Sequence, residues 1–507
     1  GDAFNLMERM RARDLLDIAR MAQVRTSTAQ LDTREQAWRQ KLQTLAQRQR
    51  DLLETPVPAR SDLRAEISRL EREAARLRDE VWAESLAGRI GLPDYARLEG
   101  VQAALAADEA MLLYQIGETQ KFWGERGGGA WAVVVTSTSV SVHEVPDRRA
   151  LLAPMTIFDG LFDGHDELIE KPAKHLYQAL VAQPIAAMPS RVKKLIIVPD
   201  GDLHRLPFAA LMTAHGRPLG LDFAISFSPS ATVWLDKRRA GLSQAQSLPA
   251  IVMADPRRQN RQTQVADRGV LDMVAEPGAL PFAQKEGRTI MQMLGEGSQL
   301  RSGVDASEAS FKADLNAPYR VVHFAAHAIV DDVAPERSAL WLSTGSRNED
   351  GLLQAREVMG LDLSNRIVVL ASCRSASGRI DSAEGIMSLS RAFLAAGATA
   401  VVGSRWRLND RHGLFLSKAL YTHLSRGASV VEALRHARIS AYDAGLPARA
   451  WASLNVQGDG GAIPFPDGSP AYRRAWSMRM AGLMGLLLVG VVGIRFWWRH
   501  RRRYVEQ

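Results

Sequence analysis

Ile367-Val-Val-Leu-Ala-Ser-Cys373 is a run of buried-strand residues ending on the only cysteine of a 507-residue chain. A second run, Val321-Val-His-Phe-Ala-Ala-His327, ends on a histidine 46 positions upstream. Short unbroken runs of β-branched and aliphatic residues suit strands covered on both faces, and open α/β sheets place their chemistry where such strands end. Two neighbouring strands of this kind bring a thiol and an imidazole together. A thiol attacks only as thiolate, so it needs such a base beside it.

Around the cysteine, Ser372, Ser375, Ala376, Ser377 and Gly378 leave space and exposed backbone, as a reaction site requires. Cys373 is therefore read as nucleophile and His327 as general base and acid, with backbone amides at Ala328 and Cys373 as the candidate oxyanion hole. Strict alternation would send His323 and His327 to one face. His327 stands nearer the strand end and takes the chemistry; His323 is assigned to packing or a supporting hydrogen bond. Residues 382–397 place Ile386, Leu389, Ser390, Phe393 and Leu394 on one helical face, closed by Gly397. The following strand, 398–406, is expected beside the cysteine strand. It carries Trp406, and with it Asp410, toward a substrate-pocket wall.

Composition removes several classes. One cysteine excludes an intramolecular disulfide and any multi-cysteine metal site. No third ligand is spaced to make the two histidines a metal centre, and no phosphate-loop lysine follows a strand, so neither metal nor cofactor is expected. The formal charge of +8 gathers largely at Arg473, Arg474, Arg479 and the arginines of 495–503. No reader motif accompanies it, and nucleic acid is not expected as a partner.

The 46% hydrophobic content supports real cores. Upstream of about residue 107 the texture is helical. Leu63, Ile67, Leu70, Ala74, Leu77 and Val81 step by four and three, and Leu31, Trp38, Leu42, Leu45 and Leu52 form a comparable stripe. Pro56 and Pro58 separate them, which predicts a helical hairpin. Residues 4–18 read as the end of a further helical region. Beyond 107 the chain turns β-rich, with strands expected at 111–115, 130–136, 140–145 and 194–198, the last entering an Asp200-Gly201 turn. His204, just past it, is read as a loop histidine rather than a base. Residues 480–494 carry no charge and precede Trp497, Trp498 and an arginine cluster, which predicts one membrane-crossing helix.

These residues resemble the CHAT family, a caspase-like domain often found behind tetratricopeptide repeats in bacteria. The resemblance spans most of 107–458. It rests on residues 199–211, on His323-Phe-Ala-Ala-His327, Val369-Leu-Ala-Ser-Cys373 and Glu384-Gly385, on 391–398, and on Trp406 with Asp410 and Trp451-Ala-Ser. It implies an α/β fold of the caspase and separase clan, a degenerate first half packed on an active second half. The family's cysteine and histidine fall on Cys373 and His327. Ala328 departs from the glycine usual after the histidine, and a methyl there bears on the oxyanion hole or on a positive backbone angle. Ala371 stands where clan members selecting basic side chains often carry an acid.

The expected organisation is a helical end at 1–25, an antiparallel coiled-coil hairpin at 26–95, a CHAT protease domain at 105–465, a linker at 466–478, a transmembrane helix at 479–498 and a basic tail at 499–507. The function implied is a membrane-anchored cysteine endopeptidase in a bacterial defence or regulated-death pathway. It would cut a protein partner encoded nearby and recruit partners through its N-terminal helices. The alternative is a catalytically weakened scaffold that recruits through those same helices.

Overall fold

Strand β8 (Tyr319–Ala325) shows why the sheet forms. Val321 and Ala325 face one layer of core while Val322 and Phe324 face the other, so both surfaces of the strand are apolar and buried. Val321, Val322 and Phe324 each contribute roughly 1.5–3 kcal/mol on leaving water. The structure is a computed structural model that describes residues 2–9, 11, 33–54, 60–87, 95–117, 129–162, 168–243, 247–257, 280–331, 334–346, 349–371, 379–381, 385–387, 389–406 and 408–478.

In chain order the strands are β1 Glu109–Gln115, β2 Ala130–Thr136, β3 Val140–Val145, β4 Lys194–Val198, β5 Ala224–Phe227, β6 Leu248–Pro256, β7 Gln299–Gly303, β8, β9 His327–Ile329, β10 Ala339–Trp341, β11 Leu352–Gln354, β12 Ile367–Leu370, β13 Arg379–Asp381, β14 Gly385–Met387, β15 Ala400–Ser404 and β16 Leu454–Gly458. Eleven of them make one sheet in the order β3-β2-β1-β4-β5-β16-β15-β12-β8-β6-β7. Strands β1, β4, β5 and β16 run parallel, as do β15, β12, β8, β6 and β7. The two blocks meet antiparallel at β15 and β16. The carboxyl ends of β8, β12 and β15 therefore share one edge.

Helices cover both faces. Pro281–Leu294, Asp410–Leu424 and Val430–Asp443 pack on one; Glu308–Asp314 and Leu389–Ala395 pack on the other beneath the second block. On the first block that second face carries Ala231–Ala240 and the N-terminal helix Asp2–Arg9. The N-terminal segment is anchored by buried charge. Glu8 accepts hydrogen bonds from Ala231 N at 3.1 Å and from Thr232 N and Oγ1 at 2.8 Å each, capping the helix that begins there.

Helices Thr33–Glu54 and Arg60–Ala87 pack through Leu45, Leu52, Ile67 and Leu70. Ion pairs Lys41–Glu73 and Arg48–Glu66 show that they run antiparallel. The turn expected at Pro56 and Pro58 lies outside the described residues. On the outer side of the pair, Glu71 lies 3.5 Å from Arg337 and 3.8 Å from Arg356, beside the sheet β11-β10-β9.

Two expectations are corrected. The helix expected over 382–397 is described only as Leu389–Ala395, because 385–387 is drawn into β14 against β13; Gly397, at φ +105, follows the helix end. Single-pass membrane anchoring is not supported: among the described residues no helix is long and apolar enough to cross a membrane. The segment 479–498 lies outside those residues.

Candidate functional site

Strands β8 and β12 are direct parallel neighbours, with Val369 opposite His323 and Leu370 opposite Phe324. The Ala371 amide donates to the Phe324 carbonyl at 2.9 Å, carrying the pairing one residue further. Beyond Ala371 come residues 372–378, so Cys373, and with it one half of the candidate oxyanion hole, lies outside the described residues.

His327 does not continue β8. The strand stops at Ala325, and His327 opens β9 in the small sheet, opposite Trp341 on β10. Ala328 pairs with Leu340 in ordinary extended backbone. It is absent from the residues with positive φ, so no glycine-only angle is required at 328. The alternation that would place both histidines on one face ends with β8. His327 is partly buried at the carboxyl edge, whereas His323 is fully buried in the core.

His323 serves the interior. Its Nδ1 lies 3.1 Å from Tyr421 Oη, and its Nε2 lies 3.0 Å from Glu286 Oε1, an ion-pair distance without hydrogen-bond alignment. The supporting hydrogen bond expected from sequence is present. Glu286, one turn into the helix Pro281–Leu294, was not legible as its partner, because nothing local marks a glutamate that turns inward.

Asp410 begins the helix Asp410–Leu424, capped by Asn409, and its Oδ2 accepts from Phe282 N at 2.9 Å. Burial raises its carboxyl above the usual range, with Glu286 and Asp255 adding to the rise. The Phe282 amide and the charge of His327 pull the other way. Asp410 thus lies within electrostatic reach of His327. Trp406 stacks on Phe162, with centroids 4.6 Å apart and planes at 29°, and donates through Nε1 to the Arg449 carbonyl at 2.6 Å. These contacts fasten the end of β15 to Phe162, which caps the helix Arg148–Leu161, and to Arg449 in the short helix Ala448–Trp451.

Among the described residues one acidic cluster has cation-site spacing. Glu308, Glu349 and Glu357 offer oxygens within 4.8 Å of one another. Lys312 Nζ sits among them at 2.8, 2.8 and 3.1 Å, so an ammonium already holds the centre.

The chain thus carries a large mixed α/β sheet, covered on both faces, with its candidate histidine strand beside the strand that leads to cysteine. It is similar to separase in the Saccharomyces cerevisiae separase–securin complex, at TM-score 0.37 and 11% identity, over 85% of this chain and 27% of that one. It is also similar to the Arg-specific cysteine proteinase gingipain R, at TM-score 0.40 and 9% identity, over 62% of this chain and 76% of that one. The chain belongs to the CHAT domain family, which matches residues 170–459. Among curated proteins it is 26% identical over 325 residues to mouse Tetratricopeptide repeat protein 28 and 24% identical over 314 residues to the human protein of that name. The matches span 53% and 52% of this chain but only 12% of each relative.

Proposed function

We propose that this CHAT protein is a cysteine endopeptidase that cuts a protein partner. The observation that carries the reading is the direct pairing of β8 with β12, since these strands lead to His327 and toward Cys373 at one carboxyl edge. His327 takes the thiol proton of Cys373, and the thiolate attacks the scissile carbonyl carbon. The carbonyl oxygen becomes an oxyanion, received by backbone amides at Ala328 and Cys373, each worth about 3 kcal/mol when well placed. The C–N bond breaks as the imidazolium protonates the leaving amine, giving a thioester. Water, deprotonated by His327, then attacks the thioester, and the thiol and a carboxylate product are released. Asp410 and Trp406 border the substrate in this reading. The helix pair at 33–87, docked through Glu71 beside the His327 sheet, is the element through which partners are recruited.

The test is co-expression with proteins encoded nearby, comparing the unaltered chain with Cys373→Ala and His327→Ala. A new cleavage product is expected that vanishes in both variants. Unchanged cleavage in both ends the protease reading and leaves the recruiting scaffold.

A further inference from the structure

Three guanidinium groups act electrostatically on His204 in the short helix Gly201–Arg205, and one of them, Arg405, touches its backbone. Arg11 is 6% exposed and Arg391 5%, while Arg405 and His204 are partly open to solvent. Nη2 of Arg405 donates to the His204 carbonyl at 3.2 Å. Nη2 of Arg11 is engaged by the Tyr114 carbonyl and by Gln115 Oε1, but its Nε and Nη1 are buried and meet no acceptor among the described residues. All three guanidiniums act on His204, whose imidazole is pushed down to about 3 by burial and then by these charges, so it stays neutral.

The acids that act on Arg11, Asp200 and Glu8, carry hydrogen bonds of their own. Asp200 faces Arg11, but its Oδ2 is held by Ile116 N at 2.7 Å and by Gln115 Nε2 at 3.3 Å. Glu8 is engaged at Ala231 and Thr232, and Asp159 acts on Arg405. A buried guanidinium with unmet donors is costly, and an acceptor from outside relieves it.

We propose that this cage is a binding site for a phosphate group, held by the open edge of Arg11 together with Arg391 and Arg405. Guanidinium forks match phosphate geometry, and a tetrahedral oxyanion offers acceptors toward cations on several sides, where a carboxylate offers them in one plane. Strands β13 and β14 contact the Gly201–Arg205 turn. An occupied cage therefore ties the N-terminal segment, through Arg11, to the stretch that follows Cys373. This binding is independent of peptide cleavage, so it stands or falls apart from the protease reading.

The experiment is calorimetric titration and thermal melting of the full chain with inorganic phosphate, pyrophosphate or ATP, at constant ionic strength because salt screens such contacts. Acetate serves as the carboxylate control. Saturable phosphate binding with a rise in melting midpoint is expected, and its loss in Arg11→Ala. Should that variant fail to fold, Arg405→Lys keeps the charge without the fork and is expected to weaken binding about tenfold or more. Tighter binding of pyrophosphate or ATP assigns the phosphate to a larger molecule; equal or weaker binding assigns it to the free ion. No saturable binding, an equal response to acetate, or binding unchanged in the folded arginine variants overturns the site.

Discussion

His323 Nε2 stands 3.0 Å from Glu286 Oε1, with both side chains at most 3% exposed, four residues before the histidine proposed to do chemistry. A buried pair is weak evidence of net stabilisation, yet removing one partner strands the other in the interior. Glu286→Ala is therefore expected to cost about 3–5 kcal/mol in urea unfolding, and the double variant Glu286→Met with His323→Leu to recover part of it. A double variant no more stable than Glu286→Ala contradicts this account.

Glu8 is expected to matter far from its place in sequence. It supplies acceptors to two amides and one hydroxyl at the start of the helix Ala231–Ala240. Glu8→Ala should lower unfolding stability by about 2 kcal/mol, and Glu8→Gln, which keeps an acceptor, by less. An Ala variant as stable as the parent means that the N-terminal helix does not hold this cap in solution.

Lys312 pairs with three carboxylates. Burial raises Glu308 well above its ordinary value, and Glu357 and Asp350 push it further, with Lys312 opposing them. Lys312→Met removes that opposition, so destabilisation should be large at pH 7.5. It should shrink as pH falls toward 5, because a carboxyl with a raised folded pKa favours the folded state as it takes up its proton. Melts across that range check the slope; a loss that grows on acidification contradicts it.

Acid should weaken the fold through His204. Its folded value of about 3 lies below the ordinary 6.5, so between these the unfolded chain binds the extra proton. Stability is then full above pH 6.5 and is lost as pH falls toward 3. In His204→Gln the drop in melting temperature between pH 7 and pH 5 should be smaller than in the parent chain, and an equal drop assigns the acid sensitivity elsewhere.

Much of the fold was legible along the chain. Strands at 111–115, 194–198 and 367–370 read directly, because a strand buried on both faces leaves an unbroken apolar run, and those at 130–136 and 140–145 from their β-branched content, with glycines before the first of them. The neighbouring placement of the histidine, cysteine and 400–404 strands followed from the same logic. The helix expected across 382–397 failed in its first half, since helical periodicity does not register a strand partner such as 379–381. Among the candidate site residues, the stack of Trp406 on Phe162 joins positions 244 apart in the chain, a contact that no local pattern records.

By itself, then, the sequence determined the layered α/β sheet, the order of its central strands and the family, for these reside in local apolar runs and spaced motifs. Tertiary structure alone decided that His323 and His327 part company at Ala326, that Glu286 and Tyr421 close around the inner one, and that Arg11 and Glu8 reach residues 100 or more positions away. The physical reason is that a buried polar group is defined by its partner, and such partners are set by packing between distant elements that no local pattern records.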